Sequence, residues 1–168
     1  MVKFVGMICL LAGFIGLSVD KIMSDRQKIE FFREVGSFVE YLHVEIEYSH
    51  IPIPDICKEY IKRCRGKFRI FLEELCNNFE ETDGKSFEVL WEEIVDKQMW
   101  KKEEKRYLKE LGHCFGFSGI GLQLSAIERY LKGMDKNILQ YEKKFQDNRK
   151  LILYFGVMSG LLLSIILL

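Results

Sequence analysis

Proline is nearly absent from this chain: it occurs only at Pro52 and Pro54. No proline-rich or glycine-rich linker divides the middle of the sequence, so a string of separate domains is excluded. Strand signals are missing too. No run alternates Val, Ile, Thr and aromatic residues, and no Asn-Gly turn marks a hairpin. Charge of one sign is also lacking, because Lys+Arg and Asp+Glu each number 25. A nucleic-acid-binding chain normally carries a basic excess, so that class is set aside. The five cysteines, Cys9, Cys57, Cys64, Cys76 and Cys114, show no CxxC spacing. They read as free thiols on apolar helix faces rather than as a disulfide framework.

Catalytic signatures are equally scarce. Gly116-Phe117-Ser118-Gly119-Ile120-Gly121 is glycine-rich but has neither the lysine nor the preceding strand of a phosphate loop. His43, His50 and His113 form no HExxH and no tight metal cluster. Glu73-Glu74, Glu92-Glu93 and Glu103-Glu104 lie among Lys and Arg and read as solvated helix faces rather than acid/base pairs. No nucleophile, metal or cofactor constellation emerges, and the expectation is a protein that is not an enzyme and needs no cofactor.

What the chain does have is an uneven distribution of apolar residues. Leu151 to Leu168 carry no charge, and a second apolar run extends from Phe4 to Val19. As a helix, the terminal run is about 27 Å long, close to the thickness of a bilayer core. The first run lacks a small-x-small cleavage site and reads as an uncleaved membrane helix. The expected organisation is a membrane helix at residues 1–20, a helical bundle of roughly 130 residues at 21–150, and a membrane helix at 151–168. Lys21, Arg26, Lys28 and Arg33 follow the first run, and Lys143, Lys144, Arg149 and Lys150 precede the second. Positive inner flanks place the middle in the cytoplasm, as a two-span membrane protein. Ala12 with Gly16, and Gly156 with Gly160, are small residues four apart. They are candidate helix-packing faces, toward the other end of the chain or in self-association.

The middle reads as all-α, a bundle of about six helices whose first and last members continue into the spans. Ile29, Phe32, Val35, Phe38, Val39, Leu42 and Ile46 recur at steps of three and four, the mark of an amphipathic helix. That helix is expected to break at Ser49-His50-Ile51-Pro52-Ile53-Pro54, because each proline pushes the residue before it out of helical geometry. A second helix is expected from Pro54-Asp55 to a stop at Gly66, and a third from about Lys67 to Asn78. A fourth starts after the N-cap Ser86, a fifth spans about Trp100 to Phe115, and a long sixth begins near Leu122.

Glu45-Ile46-Glu47-Tyr48, the following His50-Ile51-Pro52-Ile53-Pro54, the two terminal apolar runs and the ending Phe155-Gly156 through Gly160-Leu161-Leu162-Leu163 together resemble the stage III sporulation protein AB family of endospore-forming bacteria. Ile51 and Ile53 stand where that family usually has Thr and Leu. Gly119-Ile120-Gly121-Leu122 replaces a charged Asp-Arg-Glu type cluster, although Gln123 is kept. The resemblance implies a structural role. The family's bundle is similar to the cytoplasmic domain of the inner-membrane platform protein of type II secretion and type IV pilus machines, which sits over a hexameric ATPase. It implies as partners a sporulation secretion ATPase and other proteins of the same operon, in a channel between mother cell and forespore. Glu45, Tyr48, Pro52 and Pro54 are the candidate partner contacts. A membrane-anchored sensor binding a small ligand between the helices is the alternative, and an apolar pocket with convergent polar groups would favour it.

Overall fold

The computed structural model describes the backbone of residues 2–81, 84–117 and 119–167. It describes the side chains of residues 22–151, apart from 82, 83 and 118, and those of Tyr154, Phe155 and Met158. Helix α1 is Val2–Val44, α2 Ile53–Ile61, α3 Gly66–Glu81, α4 Phe87–Lys97, α5 Lys102–His113 and α6 Ile120–Leu167. A π-helical turn, Glu45–Ser49, follows α1, and a 3-10 turn, Cys114–Gly116, follows α5. No strand occurs among the described residues, so the fold is all-α with six helices. Each apolar terminal run lies within one helix together with a charged segment. Among the described residues no helix is long and apolar enough to cross a membrane. In the two runs read as spans, only the side chains of Leu151, Tyr154, Phe155 and Met158 are described; Ala12, Gly16, Gly156, Gly160 and Cys9 lie outside the described side chains.

Two compact units are present. One combines residues 1–30 with 138–168, and the other is Phe31–Asn137. In the first, Arg26 pairs with Glu30 one turn away at 2.9 Å, and Lys28 Nζ stands 4.1 Å from the centre of the Tyr141 ring.

The second unit holds the main core. The stripe on α1 is buried at every position that periodicity selects, from Ile29 in the first unit to Ile46. Trp91 of α4 is fully buried and forms the centre of an aromatic cluster with Phe38, Phe71, Phe87 and Phe115. Its indole N–H donates to the Leu108 carbonyl of α5 at 2.7 Å. Gly112 lies against the same ring. A Cβ there would sit 2.6 Å from Trp91 Cδ1, so the close approach of α4 and α5 requires glycine. Tyr130 of α6 donates its hydroxyl to the Tyr107 carbonyl at 3.0 Å, and Tyr60 of α2 donates to the Glu34 carbonyl of α1 at 3.3 Å. Burial pushes both phenols well above the usual tyrosine range.

Local signals account for most helix ends. Ser86 accepts the Val89 amide at 3.4 Å and caps α4 as expected. Gly66 does not stop the second helix. That helix ends at Ile61, and Gly66 opens α3 with φ +64, a left-handed conformation that suits glycine. The Glu103-Glu104 pair is not a solvated face either. Glu104 is buried, takes Lys67 Nζ of α3 at 2.6 Å, and accepts the Lys101 amide at 3.0 Å at the start of α5. Of the other paired carboxylates, Glu74 takes the Gln98 amide and Glu92 faces Lys109, so these too tie helices together.

Cys57, Cys64, Cys76 and Cys114 are free and buried. Burial is the main cause raising each thiol, to about 12 for Cys64 and to about 11 for Cys76 and Cys114. They are therefore protonated, inert core residues at neutral pH.

Candidate functional site

The break between α1 and α2 is a built turn. The last turn of α1 widens into the π-helical Glu45–Ser49, and Ile46 stays buried within it. His50 then takes φ 52, ψ 31, the one left-handed non-glycine residue among those described. A residue with a Cβ enters that region at a cost of about 1–2 kcal/mol. Its own side chain offsets the cost, because Nδ1 lies 3.0 Å from the Ile46 carbonyl. A carbonyl only accepts, so Nδ1 carries the hydrogen. Pro52 is extended, at φ −60 and ψ 142, and its carbonyl accepts the Asp55 and Ile56 amides at 3.0 and 3.1 Å. Pro54 falls in the first turn of α2, where its missing N–H costs nothing. Two prolines and a side-chain cap leave this connection few free dihedrals.

Of the four candidate contacts, Tyr48 and Pro52 are exposed and Pro54 is half-buried beside them. Glu45 is half-buried, and burial together with the Glu45 carboxylate one turn on raises the Tyr41 hydroxyl. Tyr48 and Pro52 are therefore open to solvent on this connection.

The turn has two sides. On one, Pro52, Ile53 and Pro54 line an open cleft of about 610 Å³ with Phe79 at the end of α3 and Phe87 at the start of α4. Phe79 and Phe87 meet edge to face at 5.5 Å, an apolar contact that sequence periodicity did not single out. Asp55, Lys58, Glu80 and Lys85 rim the cleft. Lys58 pairs with Glu80 at 2.8 Å and Lys85 with Glu93 at 2.7 Å, so the rim charges are satisfied among themselves. Ligand recognition wants convergent polar groups left free to bind, and this rim does not offer them.

On the other side stand the exposed Val44, Tyr48 and Ile51. Behind them His43 bridges α1 and α6, with Nδ1 3.7 Å from Glu47 and Nε2 3.6 Å from Glu128. His113 lies elsewhere, 3.2 Å from Glu88. Among the described residues no group of three or more His, Cys, Asp or Glu could hold a metal ion.

Against known families, the model of stage III sporulation protein AB matches residues 3–168. The chain belongs to that family. The stage III sporulation protein AB of Bacillus subtilis (strain 168) is 25% identical over 178 residues, with 99% of each chain covered. A solved structure of stage III sporulation protein AB superposes with a TM-score of 0.60 at 19% identity. It covers 69% of this chain and 94% of its own, and at that identity it speaks for the fold alone. Membership of the stage III sporulation protein AB family makes the chain a sporulation protein.

Proposed function

We propose that this chain is a structural, non-enzymatic membrane component of a sporulation channel complex. Helices at residues 1–20 and 151–168 anchor it, and the bundle faces the mother-cell cytoplasm. There it links the complex's secretion-type ATPase to the membrane-embedded parts. Family membership supports the sporulation setting. The uncharged termini and their positive inner flanks support the anchoring and its direction.

The observation that carries the adaptor reading is the exposed, pinned turn. Tyr48 and Pro52 are held out on a connection stiffened by the His50–Ile46 contact and by two prolines. A surface that is ordered before binding loses less entropy when a partner docks. Aromatic side chains on such surfaces commonly carry much of the binding energy.

Replacing Pro52 and Pro54 together by alanine tests it. Each change costs about 0.4–1 kcal/mol through the unfolded chain, so the bundle stays folded. The expected result is unchanged circular dichroism with at least about tenfold weaker capture of the purified operon ATPase, or about 1.4 kcal/mol. Unchanged capture by a folded variant removes the turn from the interface.

A further inference from the structure

We infer that the end of the bundle at which the chain enters and leaves it docks on an anionic lipid surface. The inference rests on the anchored reading above and adds a bilayer contact made by the bundle itself. Phe31 and Asn137 bound the second unit. Gly36 of α1 lies beside Met134 of α6, where an added Cβ would be 3.8 Å from Cε, and His43 of α1 faces Glu128 of α6. The two helices thus run antiparallel, so entry and exit share one end.

Two connections meet at the same end. The Phe31 ring lies 6.2 Å from that of Phe68 in the first turn of α3, and Lys67 Nζ stands 4.3 Å from its centre. Phe31 also meets Trp100, between α4 and α5, at 5.4 Å. Lys67 Nζ in turn reaches Glu104 in the first turn of α5 at 2.6 Å. The α2–α3 and α4–α5 connections are therefore neighbours around Phe31.

Charge and position decide the occupant. From Lys62 to Leu72 the chain carries Lys62, Arg63, Arg65, Lys67 and Arg69 and no acid. From Lys97 to Lys102 it carries Lys97, Lys101 and Lys102 and no acid. Some of these cations are engaged: Lys62 with Glu59, Lys67 with Glu104, Arg69 with Glu73, and Arg63 over the Tyr41 ring. Arg65, Lys97 and Lys102 are exposed and in no ion pair among the described residues. The acids that reach this end are occupied. Glu34 accepts the Arg65 amide at 3.3 Å, Glu104 takes Lys67 and the Lys101 amide, Asp96 pairs with Lys109 at 2.7 Å, and Glu103 has a partner too. In a chain that is neutral overall, this end therefore keeps a positive surplus. Met99, between Lys97 and Lys101, is fully exposed. Cations around an exposed apolar side chain suit an anionic headgroup layer, which attracts the charges and accepts the apolar group at its acyl boundary. An acidic protein shares that charge, but α1 and α6 enter and leave here, and in the anchored reading both lead to membrane helices.

The test uses the full chain in nanodiscs, with an environment-sensitive fluorescent amino acid in place of Met99 and brominated lipid as quencher. Discs of phosphatidylcholine alone are compared with discs in which about a quarter of the lipid is phosphatidylglycerol. The probe is quenched in the anionic discs and much less in the neutral ones, and quenching fades as ionic strength rises from about 0.01 to 1 M. Each cation near an anionic leaflet contributes about fivefold. Lys97→Gln with Lys102→Gln therefore lowers the ratio of docked to free bundle about twenty-fivefold, and Arg65→Gln, on the other connection, about fivefold. Lys58→Gln with Lys85→Gln, at the cleft beside the turn, removes the same charge and leaves the ratio unchanged. Circular dichroism confirms that each variant is folded. Quenching that ignores phosphatidylglycerol, that survives the Lys97 and Lys102 changes, or that falls equally with the Lys58 and Lys85 changes overturns the inference. An unquenched probe with capture of a Glu-rich peptide also overturns it, since an acidic protein then occupies this end. Carbonate extraction of membranes holding the chain separates the two readings. A chain that is retained but unquenched loses the lipid contact alone, and one that is extracted loses the anchoring as well.

Discussion

Trp91→Ala is expected to destabilise the bundle by about 4 kcal/mol, the loss typical of a large aromatic truncated in a packed core. Trp91 is fully buried and touches aromatic rings from α1, α3, α4 and the 3-10 turn. The cavity left behind cannot close, because α4 and α5 are already at the spacing that Gly112 permits. The indole hydrogen bond to Leu108 disappears as well. A domain of this size has about 5–15 kcal/mol of stability in total, so the variant is near its threshold. Trp91→Phe provides a second reading. It keeps most of the ring volume, loses the N–H donor, and is expected to cost about 1–2 kcal/mol. Urea unfolding of the full chain in detergent measures both. A loss under about 1 kcal/mol for the alanine variant would mean that the cluster is not the centre of the core.

Lys67→Met is expected to cost about 2 kcal/mol, more than Glu104→Gln. The asymmetry follows from burial. Glu104 is 3% exposed and Lys67 is 41% exposed in their side chains. Removing the lysine leaves a carboxylate inside the protein with the Lys101 amide as its remaining partner. That is the costly way to break a buried pair, reduced here because water reaches the lysine side. It also removes the ammonium 4.3 Å from the centre of the Phe31 ring. Glu104→Gln keeps an acceptor for Lys101 and leaves only an exposed cation, so about 1 kcal/mol is expected. Equal effects in the two unfolding curves would show that Glu104 is solvated in solution.

The same pair shows where sequence reasoning stops. Lys102-Glu103-Glu104-Lys105 looks like a solvated face, because every residue has an opposite charge beside it. What buries Glu104 is α3, and Lys67 lies far away along the chain. By contrast the α1 stripe was legible, because burial there follows the helical period itself. Ser86 was legible because capping is local. The break at Pro52 and Pro54 was foreseen, but the π-helical turn and the left-handed His50 were not. Neither has a composition signal, since the His50 side-chain contact becomes visible only once the backbone is placed. Of the four residues chosen as partner contacts, Tyr48 and Pro52 are exposed and Glu45 and Pro54 are half-buried.

The most direct test of the adaptor account is site-specific photo-crosslinking in sporulating cells, with the crosslinker at Tyr48 and at Met99. Both side chains are well exposed. They lie at opposite ends of the bundle. Met99 precedes Trp100, which packs on Phe31, and residues 31 to 48 of α1 and its π-turn advance roughly 25 Å at about 1.5 Å per residue. The account predicts a crosslink from Tyr48 to the ATPase or another protein of the same operon, and none to it from Met99. Equal capture from both positions, or no operon protein captured from Tyr48, would contradict it.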